Sequence, residues 1–148
     1  MTNLQQSSPA DSRPARLMHT MLRVVDLDRA VSFYTGTLGM MLLRREDYPA
    51  GRFTLAFVGY GAEADAACLE LTYNWDRGAY EHGDAYGHIA LAVHDARATC
   101  GALEQSGVKV TRPAGPTSSA SSDRDRPEVI AFIEDPDGYR IELVERRS

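Results

Sequence analysis

Apolar and polar positions along the chain follow two periods. Over 17–24, Leu22 and Val24 alternate with Met21 and Arg23; over 67–74, Leu69, Leu71 and Tyr73 alternate with Cys68, Glu70, Thr72 and Asn74. Period two marks strands that turn one face to a core. Leu27, Ala30, Val31 and Tyr34 instead fall at i, i+3, i+4, i+7, after Asp26 as a helix N-cap and before Gly39 as a C-terminal stop. Ala96, Thr99, Cys100 and Leu103 repeat that spacing between Asp95 and Gly107. Further strand-like runs lie near 40–46, 52–59, 86–93, 108–112, 128–134 and 139–145. The pattern predicts two βαβββ units, about 16–75 and 86–146, building an α+β fold of curved mixed sheets. Residues 16–148 then form one domain behind a flexible tail at 1–15. A polar loop at 75–85 separates the units. A Ser/Asp/Arg/Pro-rich loop of low order spans 113–127, and Asp135-Pro-Asp-Gly138 suits a type I turn.

The two units also match residue by residue. His19-Thr-Met-Leu-Arg-Val-Val-Asp26 aligns with His88-Ile-Ala-Leu-Ala-Val-His-Asp95, and Leu69-Glu70-Leu71 aligns with Ile141-Glu142-Leu143. An internal repeat sets the architecture. Here it also duplicates two imidazoles and two carboxylates. In each strand the apolar neighbours face the helices, so His19, Glu70, His88 and Glu142 all fall on the opposite, concave face. A carboxylate on a partly buried face is costly unless it is paired or metal-bound. Two nitrogens and two oxygens without thiolate suit a six-coordinate first-row ion with two open positions. Nickel, cobalt, manganese, iron and zinc remain open on that chemistry alone. Such an ion can chelate two adjacent oxygens of a substrate while a carboxylate beside it moves a proton.

A second polar pair shares this surface. Arg23 stands four residues beyond His19 and Asn74 four beyond Glu70, roughly 13 Å along the strands at about 3.3 Å per residue. A guanidinium and an amide at that range can grip the carboxylate of an extended, peptide-like ligand. His82 and His94 have no repeat partner and read as surface residues; Cys68 reads as a small buried hydrophobe.

Composition narrows the classes. The net charge of −5 leaves no basic stripe for phosphates, which argues against nucleic acid. No apolar run approaches the roughly 18 residues of a membrane span. The N-terminal residues lack the apolar core of a signal peptide, and two cysteines without metal or redox spacing suit a reducing cytoplasm.

From about Arg16 to its end the chain resembles the glyoxalase I (lactoylglutathione lyase) family of the vicinal oxygen chelate superfamily, in its compact bacterial form. The stretches that carry the likeness are His19-Thr-Met-Leu-Arg-Val24, Phe33-Tyr34, Leu38-Gly-Met40, Leu55-Ala-Phe-Val-Gly-Tyr-Gly61, Leu69-Glu-Leu-Thr-Tyr-Asn-Trp75, Ala85-Tyr-Gly-His-Ile-Ala90 and Asp135-Pro-Asp-Gly-Tyr139. The resemblance implies a metal-dependent lyase that isomerises the hemithioacetal of methylglyoxal and glutathione to S-D-lactoylglutathione. It implies His19, Glu70, His88 and Glu142 as metal ligands, Glu142 as the principal base, and Glu70 serving the opposite face of the substrate. Arg23 and Asn74 would hold the γ-glutamyl end of glutathione. Nickel or cobalt is implied over zinc, with manganese also open. It further implies a homodimer in which each site takes His19 and Glu70 from one chain and His88 and Glu142 from the other.

The family uses basic residues of the second half for the glycyl carboxylate of glutathione. The loop here runs longer than in compact relatives and holds no lysine, so Arg124 or Arg126 is the candidate to close over that carboxylate. Three alternatives stay open: a superfamily epimerase acting on another thioester, an extradiol-type dioxygenase, and a metal-free small-molecule-binding dimer. A fourth ligand crowds out the dioxygenase, and the presence of all four ligands weighs against the metal-free dimer.

Overall fold

A computed structural model describes residues 14–119, 122 and 126–146. The strands are β1 (His19–Arg23), β2 (Met41–Tyr48), β3 (Phe53–Gly59), β4 (Cys68–Asn74), β5 (Ile89–Val93), β6 (Val110–Pro116), β7 (Val129–Glu134) and β8 (Arg140–Glu145); the helices are α1 (Leu27–Ser32) and α2 (Ala96–Gln105). They form two four-stranded sheets of the same topology, β1-β4-β3-β2 and β5-β8-β7-β6. In each, the first pair is parallel and the others antiparallel. The two βαβββ units are therefore present. Arg124 and most of the N-terminal tail lie outside the described residues.

Local chemistry accounts for the helices. Asp26 and Asp95, both extended, each accept a hydrogen bond from a first-turn backbone N–H, Arg29 at 3.0 Å and Ala98 at 2.9 Å. Each cap stabilises its helix by about 1 kcal/mol. Gly39 and Gly107 end the two segments with positive φ, 76° and 90°. The first helix keeps its predicted extent but changes its winding: after Ser32 it widens into a π-helical turn, Phe33–Thr37, in which the Leu38 N–H reaches back to the Phe33 carbonyl. Phe33 and Tyr34, which open this turn, are both buried.

Leu22, Val24, Leu71, Ala131, Ile133, Ile141 and Leu143 point at the helices and join Leu27, Ala30, Cys100 and Leu103 in one core that spans both units. Fully burying each larger side chain contributes about 1.5–3 kcal/mol. The units are also tied through the Asp135-Pro-Asp-Gly138 turn, where Gly138 takes φ 87°. The Tyr34 hydroxyl donates to Asp135 Oδ2 at 2.6 Å, the Val25 N–H donates to Asp137 Oδ1 at 3.0 Å, and the Tyr139 hydroxyl donates to the Arg23 carbonyl at 2.7 Å.

Two boundaries differ from the sequence expectation. The pairing of β5 with β8 starts at Ile89, so His88 sits one residue ahead of the strand. The front of the expected 113–127 loop is strand: β6 continues through Pro113 to Pro116. It is the edge of its sheet, where a proline without an N–H is tolerated. Arg112 stabilises this stretch by donating to the carbonyls of Gly115, Pro116 and Ile130 at 3.1, 2.6 and 2.9 Å.

Candidate metal centre

The strand faces fall as the alternation requires. His19 Nε2 lies 2.6 Å from Glu70 Oε2, with Glu70 only 15% exposed. In the second sheet His88 Nε2 lies 3.8 Å from a Glu142 oxygen, with Glu142 19% exposed. Each glutamate sits on the last strand of its unit, next to the first in parallel register: Met21 opposite Glu70 and Ala90 opposite Glu142. The repeat thus becomes two matching His–Glu pairs. Among the described residues no three His, Cys, Asp or Glu side chains converge within one chain.

The donor set fits a metal on its own chemistry. At 2.6 Å an imidazole nitrogen and a carboxylate oxygen present lone pairs to each other, so a proton or a cation must stand between them. The other nitrogen, His19 Nδ1, is buried without a hydrogen-bond partner among the described residues.

Arg23 and Asn74 come together with Glu70. They line one open cavity of about 440 Å³, floored by Met21 and Thr72 and walled by Tyr48 and Phe53. Asn74 Nδ2 donates to the Tyr80 hydroxyl at 2.9 Å, which leaves its amide oxygen free to accept. Thr72 is 8% exposed, and its hydroxyl has no partner among the described residues. Tyr48 stacks on Phe53 at 4.7 Å and donates to Glu46 at 2.6 Å. That bond and Arg44 hold the Glu46 carboxyl below its ordinary range. On the other sheet, His88, Phe132, Arg112 and Arg140 line a cavity of about 460 Å³. Arg126 is exposed. His82 is exposed too, yet it stacks on Tyr139 with ring centres 4.3 Å apart. Cys68 is buried.

Sequence reasoning missed one further row. Phe57 lies opposite Glu70 and Arg44 opposite Phe57; in the second sheet Phe132 lies opposite Glu142 and Arg112 opposite Phe132. Each histidine meets its phenylalanine edge to face, at 5.6 Å and 5.1 Å. The repeat could have exposed this row, because Phe57 in Leu55-Ala-Phe matches Phe132 in Ile130-Ala-Phe.

The model of the Glyoxalase/Bleomycin resistance protein/Dioxygenase superfamily matches residues 16–143. A lactoylglutathione lyase of Neisseria meningitidis serogroup A is 54% identical over 133 residues, 90% of this chain and 92% of the relative. The trypanothione-dependent glyoxalase I of Leishmania major superposes with a TM-score of 0.74 at 42% identity, covering 89% of this chain and 87% of that one. Glyoxalase I of Zea mays gives 0.80 at 40% identity over 90% of this chain, which spans only 45% of the maize chain. By that family model and by relatives of this identity over nine-tenths of its length, with a His–Glu pair on each of two repeated βαβββ units, the chain belongs to the Glyoxalase/Bleomycin resistance protein/Dioxygenase superfamily, within its glyoxalase I (lactoylglutathione lyase) family.

Proposed function

We propose that this chain is a metal-dependent lactoylglutathione lyase, isomerising the methylglyoxal–glutathione hemithioacetal to S-D-lactoylglutathione. The observation that carries the reading is the duplicated His–Glu pair, His19 with Glu70 and His88 with Glu142, on the concave faces of two repeated sheets. These four residues would hold the ion, with nickel or cobalt favoured over zinc. When bound, a divalent ion supplies Lewis acidity to the two neighbouring oxygens of the substrate.

The protein's own groups handle the proton and the cosubstrate. Glu142 takes the proton from the carbon that bears sulfur and returns it to the adjacent carbonyl carbon. For the opposite enantiomer Glu70 takes that proton from the other face and passes it to the carbonyl oxygen, while Glu142 takes the hydroxyl proton and delivers it to the carbonyl carbon, so both enantiomers give the S-D product. A carboxylate positioned within reach contributes roughly 10²–10⁴-fold as general base. Arg23 takes the α-carboxylate of the γ-glutamyl group, and the amide oxygen of Asn74 accepts from its ammonium. Arg124 or Arg126 pairs with the glycyl carboxylate.

Two chains pair about a two-fold axis and bring the first sheet of one against the second sheet of the other. Support comes from the separation of the two His–Glu pairs within one chain and from exposed apolar residues, Met21 on the concave face and Met41 and Leu42 on β2. An isologous pairing completes both sites at once. No helix among the described residues is long and apolar enough to cross a membrane, and Cys68 and Cys100 are free thiols, which suits our placement of the enzyme in the cytoplasm.

The test is direct. Purified protein, loaded separately with nickel, cobalt, manganese or zinc, is mixed with methylglyoxal and glutathione while the ultraviolet absorbance of the thioester is followed. Thioester formation that is lost on chelation and restored by metal is the expected result. A folded, metal-loaded protein that forms none would overturn the reading.

A further inference from the structure

A metal-ligating histidine is ordinarily oriented by a hydrogen bond from its far ring nitrogen. His19 has no such bond: Nε2 faces Glu70 at 2.6 Å, and Nδ1 is buried without a partner among the described residues. Something else must fix the plane of its ring. The candidate is Phe57, which is 2% exposed and meets the imidazole edge to face, with centroids 5.6 Å apart and planes at 77°. Phe57 is itself pinned from the next strand. The guanidinium carbon of Arg44 lies 3.6 Å from its ring centre. Arg44 cannot easily swing away, because Glu63 accepts from its Nε and Nη2 at 2.8 and 3.2 Å and Glu46 accepts from Nη1 at 2.8 Å. The Tyr48 hydroxyl then holds the second Glu46 oxygen at 2.6 Å.

We propose that Phe57, clamped by Arg44, is the positioning residue for His19, supplying through ring packing the orientation that a hydrogen bond to Nδ1 would otherwise give. The inference rests on the reading of His19 as a metal ligand. In the second half the edge contact recurs between His88 and Phe132, at 5.1 Å and 78°. The arginine does not repeat its role: Arg112, opposite Phe132, donates to backbone carbonyls of β6 and β7. The clamp therefore belongs to the His19 side.

The experiment measures nickel affinity of the full-length protein by competition with a chromophoric chelator, in wild type and in Phe57→Leu, Phe57→Tyr, Arg44→Met and His19→Ala. Loss of an orienting partner typically weakens metal binding 10- to 100-fold, and Phe57→Leu is expected in that range. Phe57→Tyr keeps the ring edge and should stay within about threefold of wild type. Arg44→Met keeps an apolar stem over the ring without the charge and should lose several-fold, on the order of the cation–π contribution. In the metal-free protein, the ¹⁵N signals of the His19 imidazole should broaden in Phe57→Leu and not in Phe57→Tyr. Wild-type affinity in Phe57→Leu while His19→Ala is impaired overturns the proposal alone. Should Phe57→Leu fail to fold, Arg44→Met at its half-exposed position decides, and unchanged affinity there overturns the clamp. Wild-type affinity in His19→Ala overturns the ligand assignment and the proposal with it.

Discussion

Replacing Tyr34 with Phe removes one oxygen from the contact that ties the two units together. The Tyr34 hydroxyl, on a residue 1% exposed, donates at 2.6 Å to Asp135, which is 5% exposed. The other oxygen of Asp135 accepts from the backbone N–H groups of Asp137 and Tyr139 at 2.9 and 2.8 Å. A short bond to an ionised acceptor is worth about 1.5–3 kcal/mol, so the variant should lose about 2 kcal/mol. For a domain of this size that is a fall in Tm of about 4–8 °C.

The loss should also depend on pH. Burial raises the Asp135 carboxyl above its ordinary range, while the Tyr34 hydroxyl is the largest influence drawing it back down. A group raised on folding contributes stability that is present below its unfolded value, about 4, and lost as pH rises through the folded value. Removing the hydroxyl raises the folded value further. The deficit of Tyr34→Phe is thus full when Asp135 is charged and shrinks to about 1 kcal/mol, a neutral hydrogen bond, once it is protonated. Urea unfolding of both proteins at about pH 8 and about pH 4, with m-values compared, measures the difference. An equal deficit at both pH values would refute the charge-assisted account, and no deficit at either would refute the contact itself.

Four further outcomes bear on the proposed chemistry. Glu142→Gln should lower kcat by roughly 10²–10⁴-fold with the circular dichroism spectrum unchanged, and Glu70→Gln should penalise one hemithioacetal enantiomer more than the other, as seen in progress curves. Arg23→Ala should raise KM about 10- to 100-fold at nearly constant kcat, the signature of lost uniform binding; unchanged KM would place the γ-glutamyl group elsewhere. Arg124→Ala and Arg126→Ala, singly and together, should raise KM in the same way at low salt and less at high salt, and three unchanged values would remove the loop from the site. Mixing His19→Ala chains with Glu142→Gln chains should recover activity through one intact site per heterodimer, and subunit exchange without recovery would mean that each site forms within one chain.

The parts of this molecule legible in the sequence are those set by near neighbours along the chain. Asp26 and Asp95 cap their helices because a side chain three residues from an N–H needs no tertiary help, and the His–Glu faces follow from a period of two. What lies sideways in a sheet depends on register, and register here is interrupted. The pairing shifts between Leu42 and Arg44 and again between Val110 and Arg112, at equivalent places of the two edge strands. A bulge changes which residue stands opposite which, so alternation along β2 could not assign Arg44 to the row of Phe57 and Glu70. The same interruption hid β6, whose prolines argue against a strand until its edge position and the Arg112 hydrogen bonds are known. The Tyr34–Asp135 contact joins residues 101 positions apart and leaves no local trace.

The cross-strand row has diverged between the halves: Arg44 covers a phenylalanine in one sheet, whereas the arginine at the same place in the other secures an edge strand. Paired side chains on a concave face must keep their chemistry if both contribute to one centre, so duplication leaves them matched. The groups behind them need only supply rigidity, which a ring stack or a set of carbonyls can do equally well. A repeat therefore reveals what two halves do together and conceals how each half supports it.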